Sequence, residues 1–487
     1  MRVRLTALVA VVGALGLVAS ACGSPDLTPT GAAATSTSFT TTTLPGGPDD
    51  TGTSTTSTPP TSTTSTSLDV GPPGTADPGL TADTIRIAVI ADVTSGEIGD
   101  QIFLPAWQGI DAWATAVNQF GGLAGRRVEV EFIDSAVVDH AEAIQTVCTG
   151  DFFALVGSQA LFDGEGIEVL DSSSCGIPDF PSAAYSAARR NSGGTFLPNP
   201  LLNDIVQVGP AGALADLDPL AAATTATFFT GLPVFDLEVE RALEGALSVG
   251  YEFVYDPTVE FDEDFGPIVD AMADLEVSAV QWVGTGQRLA DLLTAIEATA
   301  GAGGAPTVDL SFVNCSTLCY SPAIEALGDA AAGVTVWLPH LPLDEVELNA
   351  ELNAYQFWLN VSAGDDEVRE PHPVGVAAWA AGRLFEDAVN RAIGRGTASE
   401  NNGRLTRDAV IAAARTLSSF EANGLYAEPS NPAAGVPTPC FVLVRWSGSS
   451  WERLYPALEG TADCSPSNLF LLEDTTDLGV DPPRDGG

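Results

Sequence analysis

Strand-length apolar runs alternate with helix-length amphipathic runs twice along this chain, and that alternation restricts the fold more than any other feature of the sequence. "TIRIAVIADV" places Ile85, Ile87 and Val89 in a short run ending at Asp92, which reads as a buried strand. "AWQGIDAWATAVNQFGG" sets Trp107, Ile110, Ala114 and Val117 at three-to-four spacing and stops at Gly121 and Gly122, the pattern of an amphipathic helix with a glycine cap. "RRVEVEFID" alternates Val128, Val130 and Phe132 with Glu129 and Glu131, the two-residue period of a strand. "DHAEAIQTVCT" is helical again, and "DFFALVGS" and "GIPDFPS" read as buried strands.

The rhythm resumes after residue 220. "TTATFFTG", "YEFVYDPTV", "SAVQWVGTG", "TVDLSFVN" and "VTVWLP" read as strands, with helical "DLEVERALEGALSVG", "DFGPIVDAMADLEV" and "RLADLLTAIEATAG" between them. Alternation of this kind implies parallel sheets covered by helices on both faces and joined by right-handed crossovers. Two runs predict an α/β protein of two doubly wound parallel-sheet lobes with a hinge. Later, "HPVGVAAWAAGRLFEDAVNRAIGRG" reads as a long helix with an Ala-rich apolar face, and "FVLVRWSGSSWERLYP" as a hairpin turned at Ser447 and Gly448.

The N-terminus is of another kind. Arg2 and Arg4 precede an apolar segment from Leu5 to Ala21, and small Ala19, Ser20 and Ala21 stand before Cys22, the order of an export signal. The run is short against the roughly 20 apolar residues that span a bilayer. It resembles the lipobox of bacterial lipoproteins, which implies cleavage after residue 21 and lipid attachment at Cys22. The stretch 22–78, with "TSTSFTTTTLPGG" and "TGTSTTSTPPTSTTSTS", has too little apolar surface to offset the entropy of ordering and reads as a tether. The expected location is the outer face of the bacterial cytoplasmic membrane.

Composition removes several function classes. Net charge is −45 and lysine is absent, so nucleic acid and anionic headgroups are repelled and the chain completes no phosphate-binding G-x-x-x-x-G-K-[ST] loop. No G-x-S-x-G elbow is present, and His140, His340 and His372 are scattered, so neither catalysis nor a metal or other cofactor is expected. Cys148, Cys175, Cys315, Cys319, Cys440 and Cys464 form an even set suited to disulfides outside the cytoplasm. Of the roughly 15 possible connectivities, pairing of neighbours (148–175, 315–319, 440–464) is the one expected.

The segment "GIDAWATAVNQFGGLAGRRVEVEFID" resembles the helix–GG-x-x-G-[RK]–strand of type I periplasmic binding proteins, in particular the branched-chain amino acid receptors of ABC transporters. Further similarities follow in order at Ala154–Ser158, at Pro181–Ala184, at Asp264-Phe265 and at Gly328–Val334, so that the resemblance spans residues 84–456. It implies discontinuous lobes: 79–215 with 343–435, and 216–342 with 436–464, followed by a frayed tail over 465–487. It also implies a monomer that closes on a small-molecule ligand and presents it to a membrane permease.

In open α/β sheets ligands sit beyond the carboxyl ends of strands, among loop hydroxyls and helix N-termini. Those places hold Thr94, Ser95, Gly96, Ser158, Gln159, Ser182, Ala184 and Tyr185 in the first lobe, and Phe235, Trp282, Gln287, Arg288 and Tyr320 in the second. The hydroxyls and backbone donors suit a carboxylate or another acceptor-rich head, although such residues also serve as helix caps, and Trp282 also suits a core. Amino-acid receptors of the resembled group carry an acid after the "QWVGTG" strand, where this chain has Gly286-Gln287-Arg288; Arg288 there favours an anionic or amide ligand, the alternative being that it only pairs with a surface carboxylate. The expected function is therefore capture of a small polar or amino-acid-like ligand (amino acid, amide, urea or carboxylate) for import. A ligand sensor without transport is the alternative.

Overall fold

Along β1 (Thr84–Ala91) alternate side chains enter opposite cores: Ile85, Ile87 and Val89 join one apolar cluster, Ala88 and Ile90 another. This two-residue alternation makes β1 the centre of a sheet covered on both faces. β2 (Arg127–Asp134), β3 (Ala154–Val156) and β4 (Asp179–Phe180) complete it in the order β2-β1-β3-β4, every pairing parallel. Helices Leu104–Gln119, Ala350–Ala363 and Pro373–Ala392 cover one face, and His140–Thr149 with Ile167–Leu170 the other. Trp113, Phe153, Trp379 and Phe385 are fully buried between them, each stabilising by roughly 1.5–3 kcal/mol relative to exposure. Helices Leu104–Gln119 and Pro373–Ala392 cross at glycines: a Cβ on Gly109 would lie 2.2 Å from the Gly375 carbonyl oxygen.

The computed structural model describes residues 77–94, 99–200, 204–230, 236–259, 264–300, 305–364, 367–394 and 405–472, all within one compact unit. The expected signal segment 1–21, lipid-attachment residue Cys22 and tether up to residue 76 lie outside the described residues, as do Ser95, Gly96, Phe235 and the tail beyond 472.

The second sheet has eight strands. Between β5 (Ile205–Gln207) and the last strand, β14 (Leu469–Leu471), lie β6 (Thr225–Thr230), β7 (Phe253–Tyr255), β8 (Thr258–Val259), β9 (Ala279–Val283), β10 (Phe312–Cys315), β11 (Val334–Leu338), β12 (Val442–Trp446) and β13 (Trp451–Tyr455). The order is β13-β12-β11-β10-β9-β6-β7, with β8 also on β6; β6 to β11 pair in parallel and the hairpin β12–β13 closes the edge antiparallel. Val280, Trp282, Val313 and Cys315 face one cluster, while Ala279 and Phe312 face another with helix Gly209–Leu217. The chain therefore passes between the sheets three times: after β4, after β11 and before β12.

Two sequence expectations need correction. Helix Gly209–Leu217 packs on the second sheet through Ala211, Leu214 and Ala215 against Phe312, Phe441 and Leu443, so the first lobe ends before 209 rather than at 215. The segment from 465 does not fray at once: β14 pairs antiparallel with β5, and Asn468 Nδ2 donates to the Pro439 carbonyl at 3.0 Å. Neither partner is near in sequence. The three disulfides join Cys148–Cys175, Cys315–Cys319 and Cys440–Cys464.

Candidate functional site

Gly157 ends β3 at φ +79°, where a Cβ would lie 2.1 Å from Ile110 Cγ1. Glycine lets the chain turn there against the helix Leu104–Gln119, and the turn carries Ser158 and Gln159 to the carboxyl edge of the sheet. The loop after β4 is held beside them by Asp163, whose carboxylate accepts the backbone N–H groups of Tyr185 (2.8 Å) and Ser186 (2.9 Å). Ser182 Oγ donates to Gln159 Oε1 (3.0 Å), and Gln159 Nε2 donates to the Tyr185 hydroxyl (2.7 Å). Burial, with Asp163 and Glu238 adding to it, pushes that hydroxyl above the usual tyrosine range.

These residues form one wall of a cavity of about 270 Å³. The opposite wall comes from the carboxyl ends of β9 and β10, with Gln281, Gly284 and Asn314, and from the disulfide-closed loop Cys315–Leu318. Val206 to Ala211, Pro339 and the start of helix Pro373–Ala392 close it toward the inter-lobe crossings. Most of this lining is aliphatic, prolyl or aromatic, the character of a small-molecule site.

The charged groups of the lining are Arg190, Glu238 and Arg241. Arg190 follows the loop after β4; its Nε donates to the Ala184 carbonyl (2.8 Å) and its Nη2 is ion-paired with Glu238 on the helix Asp236–Ser248. Arg241 Nε lies 3.9 Å from Glu238, and its guanidinium donates to the Ile205 carbonyl. Burial opposes the Glu238 charge, but Arg190 and Arg241 outweigh it and hold the carboxyl below the usual range. Burial lowers Arg241 to about 10 against the pull of Glu238. His340, also on the wall, donates from Nδ1 to the Leu341 carbonyl (2.7 Å), and burial takes it down to about 4, so it is neutral near pH 7.

Three polar atoms of the lining residues have no hydrogen-bond partner among the described residues: Arg190 Nη1, Gln207 Oε1 and Asn314 Oδ1. Gln207 Nε2 donates to the Pro439 carbonyl (3.2 Å), and Asn314 Nδ2 to Gln281 Oε1 (2.8 Å). Buried polar atoms left in this way are costly unless a ligand or water meets them.

Of the residues expected from sequence, Gln159, Ser182, Ala184, Tyr185 and Trp282 border the cavity. The indole of Trp282 packs with Phe228 and Phe265 and donates to the Thr285 carbonyl (3.2 Å). The other described ones lie elsewhere. Ser158 is fully buried, and its hydroxyl oxygen accepts from the Ile90 N–H (3.0 Å). Thr94 is exposed, with its N–H on the Asp134 carboxylate (3.1 Å). Gln287 and Arg288 both bond Asp291, at 3.3 and 2.8 Å, the carboxylate pairing that is the alternative for Arg288, and Arg288 also covers the Phe265 ring. Tyr320 stacks on Trp451 with centroids 4.7 Å apart. In exchange, sequence reasoning missed Arg190, Gln207, Glu238, Arg241, Gln281 and Asn314. Gln281 and Asn314 left a trace there: each is a polar residue inside an otherwise apolar buried strand.

A family model described as periplasmic binding protein matches residues 84–450. The chain belongs to the periplasmic binding protein family. Solved structures agree on the fold of this binding protein. A fatty acid ABC transporter substrate-binding protein from Thermomonospora curvata is 16% identical, covers 81% of this chain and 95% of its own, and superposes with a TM-score of 0.60. An ABC transporter solute-binding protein from R. palustris in complex with benzoate is 17% identical (79% and 98% covered, TM-score 0.56). The branched-chain amino acid transporter substrate-binding protein LivJ from Streptococcus pneumoniae, in complex with isoleucine, is 13% identical (78% and 100% covered, TM-score 0.56). No curated protein matches the chain in sequence. Among the described residues of the binding protein no cluster of His, Cys, Asp and Glu is arranged for a metal ion, and no helix is long and apolar enough to cross a membrane.

Proposed function

We propose that this binding protein is the extracytoplasmic receptor of an ABC importer, held at the outer face of the membrane by lipid on Cys22, and that it performs no catalysis. It captures a small polar or amino-acid-like molecule (amino acid, amide, urea or carboxylate) between its lobes and hands it to a permease. One observation carries this reading: the 270 Å³ cavity is walled by Ser182 to Tyr185 from one sheet and by Gln281 and Asn314 from the other. A ligand there touches both lobes only when they are together, so its differential affinity favours the closed form. The ligands named for the structural relatives, fatty acid, benzoate and isoleucine, all carry a carboxyl group and support a carboxylate-bearing ligand.

The test is a thermal-shift screen of the chain without its first 76 residues against amino acids, amides, ureas and carboxylates, followed by calorimetry. A true ligand stabilises the folded form by about 2.7 kcal/mol at a hundred times its Kd. A melting temperature indifferent to every class removes the reading.

A further inference from the structure

Arg190 is the group in this cavity whose bonding is incomplete in an informative way. Its side chain is only 3% exposed, two of its guanidinium nitrogens are engaged by Ala184 and Glu238, and Nη1 has no partner among the described residues. Glu238 is the single carboxylate among the described lining residues, against two guanidiniums, and both guanidiniums lie on it. Asp204, outside the lining, adds to the negative field at Arg241. A cationic group entering this cavity therefore meets a carboxylate already neutralised twice, and no other negative charge among the described lining residues. An anionic group meets a buried guanidinium with a donor to spare, in surroundings where charge-assisted hydrogen bonds are strong. Leu197, Val206, Val208, Trp337 and Val376 give the wall an apolar part that admits a hydrocarbon body of modest size.

Resting on the reading of this cavity as the ligand site, we propose that its substrate is a small monocarboxylate with an apolar body and no α-ammonium group, the carboxylate being received by Arg190. The ammonium of a free amino acid would find acceptors in Gln207 Oε1 and Asn314 Oδ1 but no free counter-charge among the described lining residues, and the amide isostere of the acid would lack the charge that Arg190 receives. Arg190 is thus the residue that sets specificity. The neighbouring sequence candidate, Arg288, is spent on Asp291 and Phe265 outside the cavity.

The experiment compares matched probes by calorimetry on the protein lacking residues 1–76: 4-methylpentanoate, its amide, and leucine, which is the same acid carrying an α-amino group; and benzoate with benzamide and benzylamine. The expected order is carboxylate first, tighter than its amide or ammonium counterpart by about tenfold or more. Arg190→Gln is expected to collapse the carboxylate-to-amide ratio toward one. Arg288→Gln is expected to leave it unchanged. A role for Arg190 in folding or lobe contact alone would weaken all probes together and preserve the ratio, which overturns the proposal. Should Arg190→Gln not fold, the order of the probes on the unmodified protein decides: leucine or the amides binding as well as the acids overturns the substrate class while leaving a ligand site in the cavity. If none of these probes binds but an unrelated metabolite does, the class is likewise wrong; if the chain responds to no small molecule of any kind, the underlying reading fails.

Discussion

The Arg190 guanidinium, carried by the short helix after β4, is ion-paired with the Glu238 carboxylate on a helix that covers the second sheet. The two side chains are 3% and 26% exposed, so the pair is largely shielded from salt and water. It joins elements that belong to different sheets, and it does so at the cavity wall.

From that relationship follows a prediction about shape. Glu238→Gln removes the charge that ties Arg190 across the cavity, and leaves a buried guanidinium without its partner. The unliganded variant is expected to scatter X-rays with a larger radius of gyration than the unmodified protein, and to return toward the compact value with a saturating ligand. Superimposable scattering curves would show that the pair does not hold the lobes together.

Asp163 is expected to be a positioning residue for the ligand loop. Asp163→Ala leaves the buried N–H groups of Tyr185 and Ser186 without their acceptor, at a cost of about 2–5 kcal/mol in urea denaturation. Asp163→Asn keeps one acceptor oxygen and should recover about half of that loss. Equal loss in the two variants would mean that the carboxylate charge near Arg189, rather than the two backbone bonds, is what matters.

The disulfides should separate into two kinds. Cys148–Cys175 and Cys440–Cys464 close loops with sequence separations of 27 and 24, whereas Cys315–Cys319 closes one of 4. By loop entropy either long bridge contributes about 3–4 kcal/mol and the short one roughly half as much. Replacing Cys315 and Cys319 together by Ser should therefore cost less in denaturant midpoint than opening either long bridge, yet weaken ligand binding, since Cys315 to Leu318 line the cavity. Unchanged affinity in that variant would reduce the bridge to a local staple.

Stability should fall in mild acid. Burial lowers His140, His340 and His372 to about 4 from the ordinary 6.5, with Arg189 assisting at His140. Between those values the unfolded chain binds more protons than the folded one, so stability is fully present above about pH 6.5 and is lost as the pH drops toward 4. The carboxyl of Glu345, held below its usual range by Arg453 against the effect of burial, adds its own loss as the pH falls below its ordinary value of 4.5. Melting temperatures at pH 7, 5.5 and 4.5 check this; a flat profile would contradict it.

Much of the fold could be read directly. The two-residue period of β1 and β2 and the three-to-four spacing of helix Leu104–Gln119 come from local backbone geometry, and local pattern reports them faithfully. The hairpin β12–β13 and its turn at Ser447 and Gly448 were visible for the same reason. Parts of the site were legible too, because residues at the carboxyl ends of parallel strands have one place to go: Gln159, Ser182 and Tyr185 reach the cavity as strand-end residues should.

The arginines mark the limit. Arg189 and Arg190 are neighbours in sequence, with nothing local to tell them apart, yet one turns inward and the other across. Arg189 is fully buried on Asp179, with Nη2 to Oδ1 at 2.9 Å, and ties the short helix Ala187–Asn191 to β4; Arg190 points to Glu238 and the cavity. A helical step of about 100° separates the two side chains, and what each one meets depends on strands and helices tens of residues away. The chain alone determined the alternation of elements, the two-sheet class and the strand ends where a ligand belongs, since these follow from backbone period and burial. Which charged side chain stands at that place was decided only in three dimensions, because ion pairs form between partners that the sequence does not bring near one another.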